Sequence, residues 1–299
     1  DGVREIEGVG TVGVFTDVAS STQIEPSAAL PPESLTPSNI ESFWQVPTGL
    51  AAYDFGFGTA FFDIENDGDQ DLYWLGAIIA RGEGPGGMLF PGYGRMLQNI
   101  GDGKYRDITV ESHLIDSQGV DYSIVDPSDT EFDRIAQRMG PEFHENGKGL
   151  AKGDLNGDGY IDMIGTNSSG QIFVDPGVPG PTSVVSGPLM VWINGGGDNS
   201  WLTLRLKGRM AIDGTGSNAD GIGATVIITS KGSDGRSLSQ IQTVLGSSTF
   251  LSMNSLDLTF GIGTAEQVDK IEIVWPSGVS QTLTDISANQ VLEVTEPAG

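Results

Sequence analysis

The chain has 299 residues, no cysteine, and 40 Asp and Glu against 15 Lys and Arg, for a formal net charge of −25. That charge excludes a nucleic-acid backbone as natural partner, disfavours anionic membrane surfaces and makes cations the expected partners; the lack of cysteine excludes disulfides and thiolate metal sites. The length suffices for one large core or two moderate ones, and 44 glycines among short runs of Val, Ile, Thr and Leu predict an all-β chain with many turns.

The acidity is uneven. Residues 1–200 hold 30 acids and 9 bases, whereas residues 201–299 hold 10 and 6, so the first part is the one that needs a cation to relieve its own repulsion. No apolar run approaches the roughly 20 residues of a membrane span, and no charged-then-apolar leader opens the sequence. The expectation is an extracellular or cell-surface protein in a mature or trimmed form, without its export signal.

In chain order, residues 3–18 are strand-like and punctuated by glycine. Gly8-Val9-Gly10-Thr11-Val12-Gly13 fits G-x-G-x-x-G, but Val14-Phe15-Thr16-Asp17 follows in place of a helix, which argues against a nucleotide site. Residues 19–50 form a Ser/Pro/Thr-rich insertion. Within it Ser38-Asn39-Ile40-Glu41 has the form of a capping box and predicts a short helix, and Trp44 is a candidate contact surface. Gly58-Thr59-Ala60-Phe61-Phe62 then leads into Asp63-Ile64-Glu65-Asn66-Asp67-Gly68-Asp69-Gln70-Asp71, followed by the apolar strand Leu72-Tyr73-Trp74-Leu75. Tyr105-Arg106-Asp107-Ile108 repeats the aromatic-x-Asp-aliphatic pattern of Phe15-Thr16-Asp17-Val18 after 90 residues.

Residues 128–139 predict a second helix with Phe132, Ile135 and Met139 on one face. Gly149-Leu150-Ala151-Lys152-Gly153 leads into Asp154-Leu155-Asn156-Gly157-Asp158-Gly159-Tyr160-Ile161-Asp162, 91 residues after the first such stretch, and Met163-Ile164-Gly165 follows. The Gly/Pro segment 176–188 reads as a loop. Met96-Leu97-Gln98-Asn99-Ile100-Gly101-Asp102-Gly103 is echoed by Met190-Val191-Trp192-Ile193-Asn194-Gly195-Gly196-Gly197. Markers that keep their spacing in two copies mean an internal duplication. From Trp201 the texture changes to clean alternation, in Trp201–Leu206, Ala224–Ile228 and Lys270–Trp275, which predicts a β-sandwich or small barrel. The chain thus divides into 1–199 and 200–299.

The duplicated acidic stretches are loops suited to calcium, a hard cation that takes six to eight oxygens from alternating carboxylates and amides on a tightly curled backbone. In the first loop the expected ligands are the side chains of Asp63, Glu65, Asp67 and Asp71 and the carbonyl of Asp69. In the second they are Asp154, Asn156, Asp158 and Asp162 and the carbonyl of Tyr160. Two calcium sites follow. Position 12 is Trp74 or Gly165 in place of an EF-hand's Glu, so Asp71 and Asp162 at position 9 must complete the shell. Glu65 is longer than the usual residue at position 3 and makes the first loop the less regular.

Phe15-Thr16-Asp17-Val18, the lead-ins, the two loops, and Asn99-x-Gly101-Asp102-Gly103-x-Tyr105 resemble the FG-GAP/VCBS repeats of extracellular β-propellers. Asn218-Ala219-Asp220-Gly221-Ile222-Gly223-Ala224, Phe260-Gly261-Ile262-Gly263, Val274-Trp275-Pro276-Ser277-Gly278 and Ala288-Asn289-Gln290 resemble the ASPIC/UnbV domain. The resemblance implies a secreted or surface protein, stabilised by calcium and used for adhesion, for carbohydrate or protein contact, or for matrix structure. Two loops are too few to close a propeller of about seven blades. Either the repeats form an open array or the sequence is a fragment. An open array leaves strand edges to be covered or paired, so strand addition from residues 3–18 or another edge into a neighbouring subunit is expected, giving an oligomer or filament, the alternative for residues 14–18 being pairing within their own repeat.

No catalytic constellation emerges, and the chain reads as a non-enzyme. His113 and His144 belong to no triad or H-E-x-x-H pattern, and no acid pair stands out among 40. Asn167-Ser168-Ser169 fits an N-glycosylation acceptor, a frequent triplet. Trp74, Trp192, Trp201 and Trp275 read as core. The competing class is a carbohydrate-binding module or an accessory domain of a secreted polysaccharide-active hydrolase, with glycans or other surface proteins as partners.

Overall fold

The computed structural model describes residues 3–6, 10–13, 23–25, 56–76, 78–81, 88–91, 95–108, 111, 112, 114, 147–168, 170–173, 182–187, 189–233 and 235–299. The helices expected near residues 38–41 and 128–139, Trp44, His113, His144 and Phe15–Val18 lie outside them. The described residues are all β apart from a 3-10 turn at Arg209–Ala211. No helix among them is long and apolar enough to cross a membrane.

β1 (Val3–Ile6) and β2 (Gly10–Gly13) pair with each other as an antiparallel hairpin, Val3 opposite Gly13. Residues 3–6 and 10–13 of the strand-like opening segment thus satisfy one ladder within the chain. β3 (Gln23–Glu25), β4 (Gly56–Phe62), β5 (Asp71–Gly76), β8 (Arg95–Asn99) and β9 (Lys104–Asp107) form a five-stranded sheet in the order β3-β9-β8-β5-β4. Between β5 and β8, β6 (Ile78–Arg81) and β7 (Met88–Pro91) make a separate hairpin. β10 (Gly147–Gly153), β11 (Asp162–Asn167) and β14 (Leu189–Trp192) form a second sheet in that order. β12 (Gly170–Phe173) pairs with β13 (Thr182–Val185), which places a strand in the segment read from its Gly and Pro content as a loop.

The two sheets repeat each other in register. Phe62 lies opposite Asp71 and Thr59 opposite Trp74, then a bulge, then Gly56 opposite Gly76. In the second sheet Gly153 lies opposite Asp162 and Leu150 opposite Gly165, then the same bulge, then Gly147 opposite Asn167. The sheets pack through one core: Ala60, Phe62, Tyr73, Leu75 and Met96 from the first meet Leu150 and Met163 from the second. Alternation along each strand places these residues on the facing sides. The contact is close, for a Cβ at Gly58 would stand 2.8 Å from that of Leu150.

β15 (Ser200–Lys207), β16 (Thr225–Lys231), β17 (Ser237–Thr243), β18 (Leu258–Gly263), β19 (Gln267–Val274), β20 (Ser280–Ser287) and β21 (Gln290–Thr295) build a sandwich of two sheets, β18-β15-β21 and β17-β16-β19-β20. It is a sandwich and not a closed barrel. Leu202, Leu204 and Leu206 of the central strand β15 face Val226, Ile228, Ile271 and Ile273 across one core, sealed by Trp275. β15 runs parallel to β21, a pairing that local alternation cannot reveal.

The sandwich also covers the inner edge of the second sheet. Leu150 N–H donates to Ser252 Oγ (3.2 Å), Lys152 N–H to Asn254 Oδ1 (3.1 Å), and Ser255 N–H to Lys152 O (2.9 Å). The side chains of Ser252 and Asn254 and the backbone N–H of Ser255, in place of a further strand, thus cap β10.

One buried carboxylate pins the sandwich together. Glu296, 1% exposed, accepts from Arg209 N–H (3.0 Å), Ser217 N–H (2.7 Å), Ser217 Oγ (2.9 Å) and Ser277 Oγ. Burial pushes its pKa up, but these donors outweigh it and hold the carboxyl down to about 2. Its contribution is therefore present above the unfolded-state value near 4.5 and is lost as pH falls through about 2. Glu296→Gln should lower stability by about 2 kcal/mol at neutral pH, and the deficit against the wild type should shrink on acidification in paired thermal melts.

Candidate metal centre

Both acidic loops curl around their own carboxylates in the same way. Asp63 accepts from the N–H of Asp67 (3.0 Å) and Gly68 (2.8 Å); Asp154 accepts from Gly157 (2.7 Å), Asp158 (3.2 Å) and Gly159 (2.8 Å). Asp67 accepts from Asp69 N–H (3.1 Å), as Asp158 does from Tyr160 N–H (2.9 Å). Asp71 accepts from Ile64 N–H (2.8 Å) and Asn99 N–H (2.7 Å); Asp162 accepts from Leu155 N–H and Asn194 N–H, both at 2.7 Å. Gly68 and Gly159, at φ +100° and +85°, make the sharp bends. Asn99 and Asn194, visible in sequence only as an echo, are thus structural members of the loops.

The loops differ in burial. In the first, oxygens of Asp63, Glu65 and Asp71 lie within 4.8 Å of one another, with Asp63 and Asp71 buried. Asp67 does not join them at that spacing. The extra methylene of Glu65, which made this loop look irregular, is what spans to Asp71, and Gln98 Nε2 holds its Oε1 at 2.5 Å. In the second loop Asn156 and Asp158 are exposed, Asn156 Nδ2 donates to Asp158 Oδ2 (2.8 Å), and no cluster of three acids forms. The carbonyls of Asp69 and Tyr160 remain the position-7 candidates in each loop.

Burial and crowding perturb the first loop strongly. Burial, then the charges of Asp67 and Glu65, push Asp63 up to about 7 against the N–H bonds it accepts. Burial, then Asp67 and Glu65, push Asp69 up to about 6, with Arg236 opposing. Asp71 and Glu65 are both raised, by burial first; the charge of Glu65 adds to the shift of Asp71, and that of Asp67 to the shift of Glu65. Carboxylates this close in a low-dielectric site cannot all ionise unless a cation joins them. Glu65 Oε2 and Asp69 Oδ1 are buried without a hydrogen-bond partner, so the carboxylate of Asp69, and not only its carbonyl, is a candidate donor. Lys152, unmarked in sequence, is the nearby cation. Its ammonium donates to Phe61 O, and burial pulls its pKa down to about 8 while Asp63 opposes the shift. An all-oxygen, carboxylate-rich set fits a hard divalent cation.

The sandwich presses on this loop. Gly263 N–H donates to Asn66 O (2.8 Å), and Asn66, at φ +59°, donates through Nδ2 to Gly159 O (3.1 Å) in the second loop. Asn194 Nδ2 reaches Ile64 O (2.9 Å) and Asn199 Nδ2 reaches Glu65 O (2.9 Å). Residues 214–299 match the ASPIC and UnbV family. No curated protein and no solved structure matches the chain.

The ASPIC/UnbV match gives the glycines at this contact a physical role. A Cβ at Gly261 would stand 2.2 Å from Asp63 Oδ2 and 2.3 Å from Asn66 Cα, so only glycine lets β18 approach the first acidic loop. Asn289, at φ +58°, donates its N–H to Trp201 O (2.6 Å) and accepts from Trp201 N–H (3.1 Å). That clamp seats the Trp201 ring over Gly159, where a Cβ would fall 1.8 Å from Cε2. Gly261→Ala should cost more than about 3 kcal/mol by forcing loop and sandwich apart. Urea unfolding should show it, with a steep loss of midpoint for Gly261→Ala and little change for Gly195→Ala, where an added Cβ meets no atom within 4 Å.

Proposed function

We propose that the chain is an extracellular calcium-binding protein with a structural or adhesive role, in which FG-GAP/VCBS-type repeats at 1–199 hold the cation and an ASPIC/UnbV segment locks the loops. The observation that carries the reading is the buried Asp63–Glu65–Asp71 cluster with the unpartnered Glu65 Oε2 and Asp69 Oδ1. In the first loop Asp63, Glu65, Asp69 and Asp71 would hold the ion; in the second, Asp154, Asn156, Asp158, Asp162 and the carbonyl of Tyr160. Bound calcium supplies the positive charge that lets these groups stay ionised. The chain's own residues do the rest: N–H groups aim each carboxylate inward, Gln98 orients Glu65, and Asn66, Asn194 and Asn199 fix the loop backbone. The second loop, more exposed, would bind more weakly, since an exposed site loses ligand rigidity.

Calcium at a hundredfold excess over its Kd should stabilise the fold by about 2.7 kcal/mol, a rise of roughly 4 °C in Tm for a chain of this size. Chelator should reverse it in differential scanning calorimetry, and an identical Tm with and without chelator would refute calcium binding. Glu65→Gln keeps an acceptor for Gln98 but removes one buried charge. It should leave the metal-free Tm unchanged or raised while weakening calcium about tenfold, near 1.4 kcal/mol, by isothermal titration; an unaltered affinity would remove Glu65 from the shell.

A further inference from the structure

A cleft of about 490 Å³ lies between the first sheet with its acidic loop and the face of the sandwich, within the roughly 300–1,000 Å³ of sites that take small ligands. Thr59 and Phe61 of β4, Lys152 near the end of β10, and Gln242, Leu245 and Asn254 from the sandwich stand on its walls. Of the residues assigned above to the cation, it shares only Asp63.

Three charged side chains line the cleft, Asp63, Lys152 and Asp257. Both oxygens of Asp63 are taken by N–H groups of its own loop, and Asp257 is held by Arg205 through Nε (3.1 Å) and Nη2 (2.7 Å). Lys152 has no such counter-charge. Its half-buried ammonium donates to Phe61 O, stands 5.9 Å from the centre of the Phe62 ring, and pairs with no carboxylate among the described residues, in a chain that has 40 acids to offer. Two of its three donors are therefore unspent. A cation partly withdrawn from water in that state gains most from an anion that enters the cleft.

The rest of the wall offers donors and acceptors in mixture. Gln242 Nε2 is spent on Thr259 O (2.7 Å), which leaves Oε1 as an acceptor, and Asn254 Oδ1 is spent on Lys152 N–H (3.1 Å), which leaves Nδ2 as a donor. Thr59 and Ser248 add hydroxyls. A hydroxyl group both donates and accepts, so a mixed set of this kind suits a ligand with many of them. Phe61 and Leu245, 55% and 52% exposed, supply apolar surface for the C–H faces such a ligand also carries. One cation beside two carboxylates favours a single negative charge over a phosphate.

We propose that this cleft binds a glycan through an acidic sugar unit, a uronate, whose carboxylate meets the Lys152 ammonium and whose hydroxyls meet Gln242, Asn254, Thr59 and Ser248. The site deepens the adhesive role proposed above by giving it a partner of stated chemistry. It rests on that reading for its purpose, but not on metal occupancy.

The full chain should be titrated calorimetrically, in calcium and in chelator, with trisaccharides of galacturonate, glucuronate and mannuronate and with the same sugars after carboxyl reduction to neutral hexoses. At least one acidic trisaccharide should bind, and its reduced form should bind more than tenfold more weakly. Lys152→Met should abolish that binding, and Thr59→Trp, at an exposed position of the wall, should block it with Lys152 in place. Silence from all three acidic sugars, equal affinity for an acidic sugar and its reduced form, or undiminished binding by both variants would overturn the proposal. Failure of the calcium reading would appear separately, as a melt insensitive to chelator, and leaves the comparison of acidic with reduced sugars intact.

Discussion

The constraint on which the molecule turns is the burial of like charges at Asp63, Glu65 and Asp71. Three carboxylates drawn together away from water are unfavourable, and the cost falls only if protons or a cation neutralise them. The surrounding groups do not relieve that repulsion; they hold it in place. The N–H groups of Ile64, Asp67, Gly68 and Asp69 are aimed at carboxylate oxygens, and the ammonium of Lys152 is spent on the carbonyl of Phe61. Such an arrangement would suit the cation proposed above.

That constraint also explains why the parts pack as they do. The first loop is dry because the second sheet, the Asn194–Asn199 segment and β18 close over it. The second loop is built from the same hydrogen bonds, yet Asn156 and Asp158 stay in solvent while Trp201 and Asn66 cover Gly159. Identical local chemistry therefore gives two different electrostatic environments, and what separates them is which neighbour each loop meets. The ASPIC/UnbV segment contributes through glycine: Gly261 and Gly263 bring its backbone against Asp63 and Asn66, where a side chain would hold the two bodies apart.

Much of this was legible in residues. The spacing of Asp63 to Asp71 and Asp154 to Asp162 placed both loops, and the alternation in Trp201–Leu206 and Lys270–Trp275 placed β15 and β19. Periodicity and spacing report local geometry, and local geometry is what those segments depend on. What stayed hidden depends on tertiary contact. No pattern announces that β15 will lie parallel to β21, that Asn66 will bond to Gly159 O, or that Glu65, irregular by loop standards, has the reach to join Asp71. Residues 3–6 and 10–13 illustrate the limit: a strand-like segment states its wish to pair but not its partner, and a hairpin is the shortest answer. Thr182–Val185 shows the converse, since a strand can sit in a Gly/Pro-rich segment when a neighbour supplies the ladder.

The duplication carries the last step. Two sheets with the same register and the same bulge would be expected to stack indefinitely, because the face that receives one copy is repeated on the next. At β10 the side chains of Thr249, Ser252 and Asn254 and the backbone N–H of Ser255 take the edge, where a further strand would otherwise pair. This cap acts on the inner strand only. On the outer strand β14 Val191 is exposed, whereas Met96, its counterpart in β8, is fully buried, so equivalent positions of the two copies meet different surroundings.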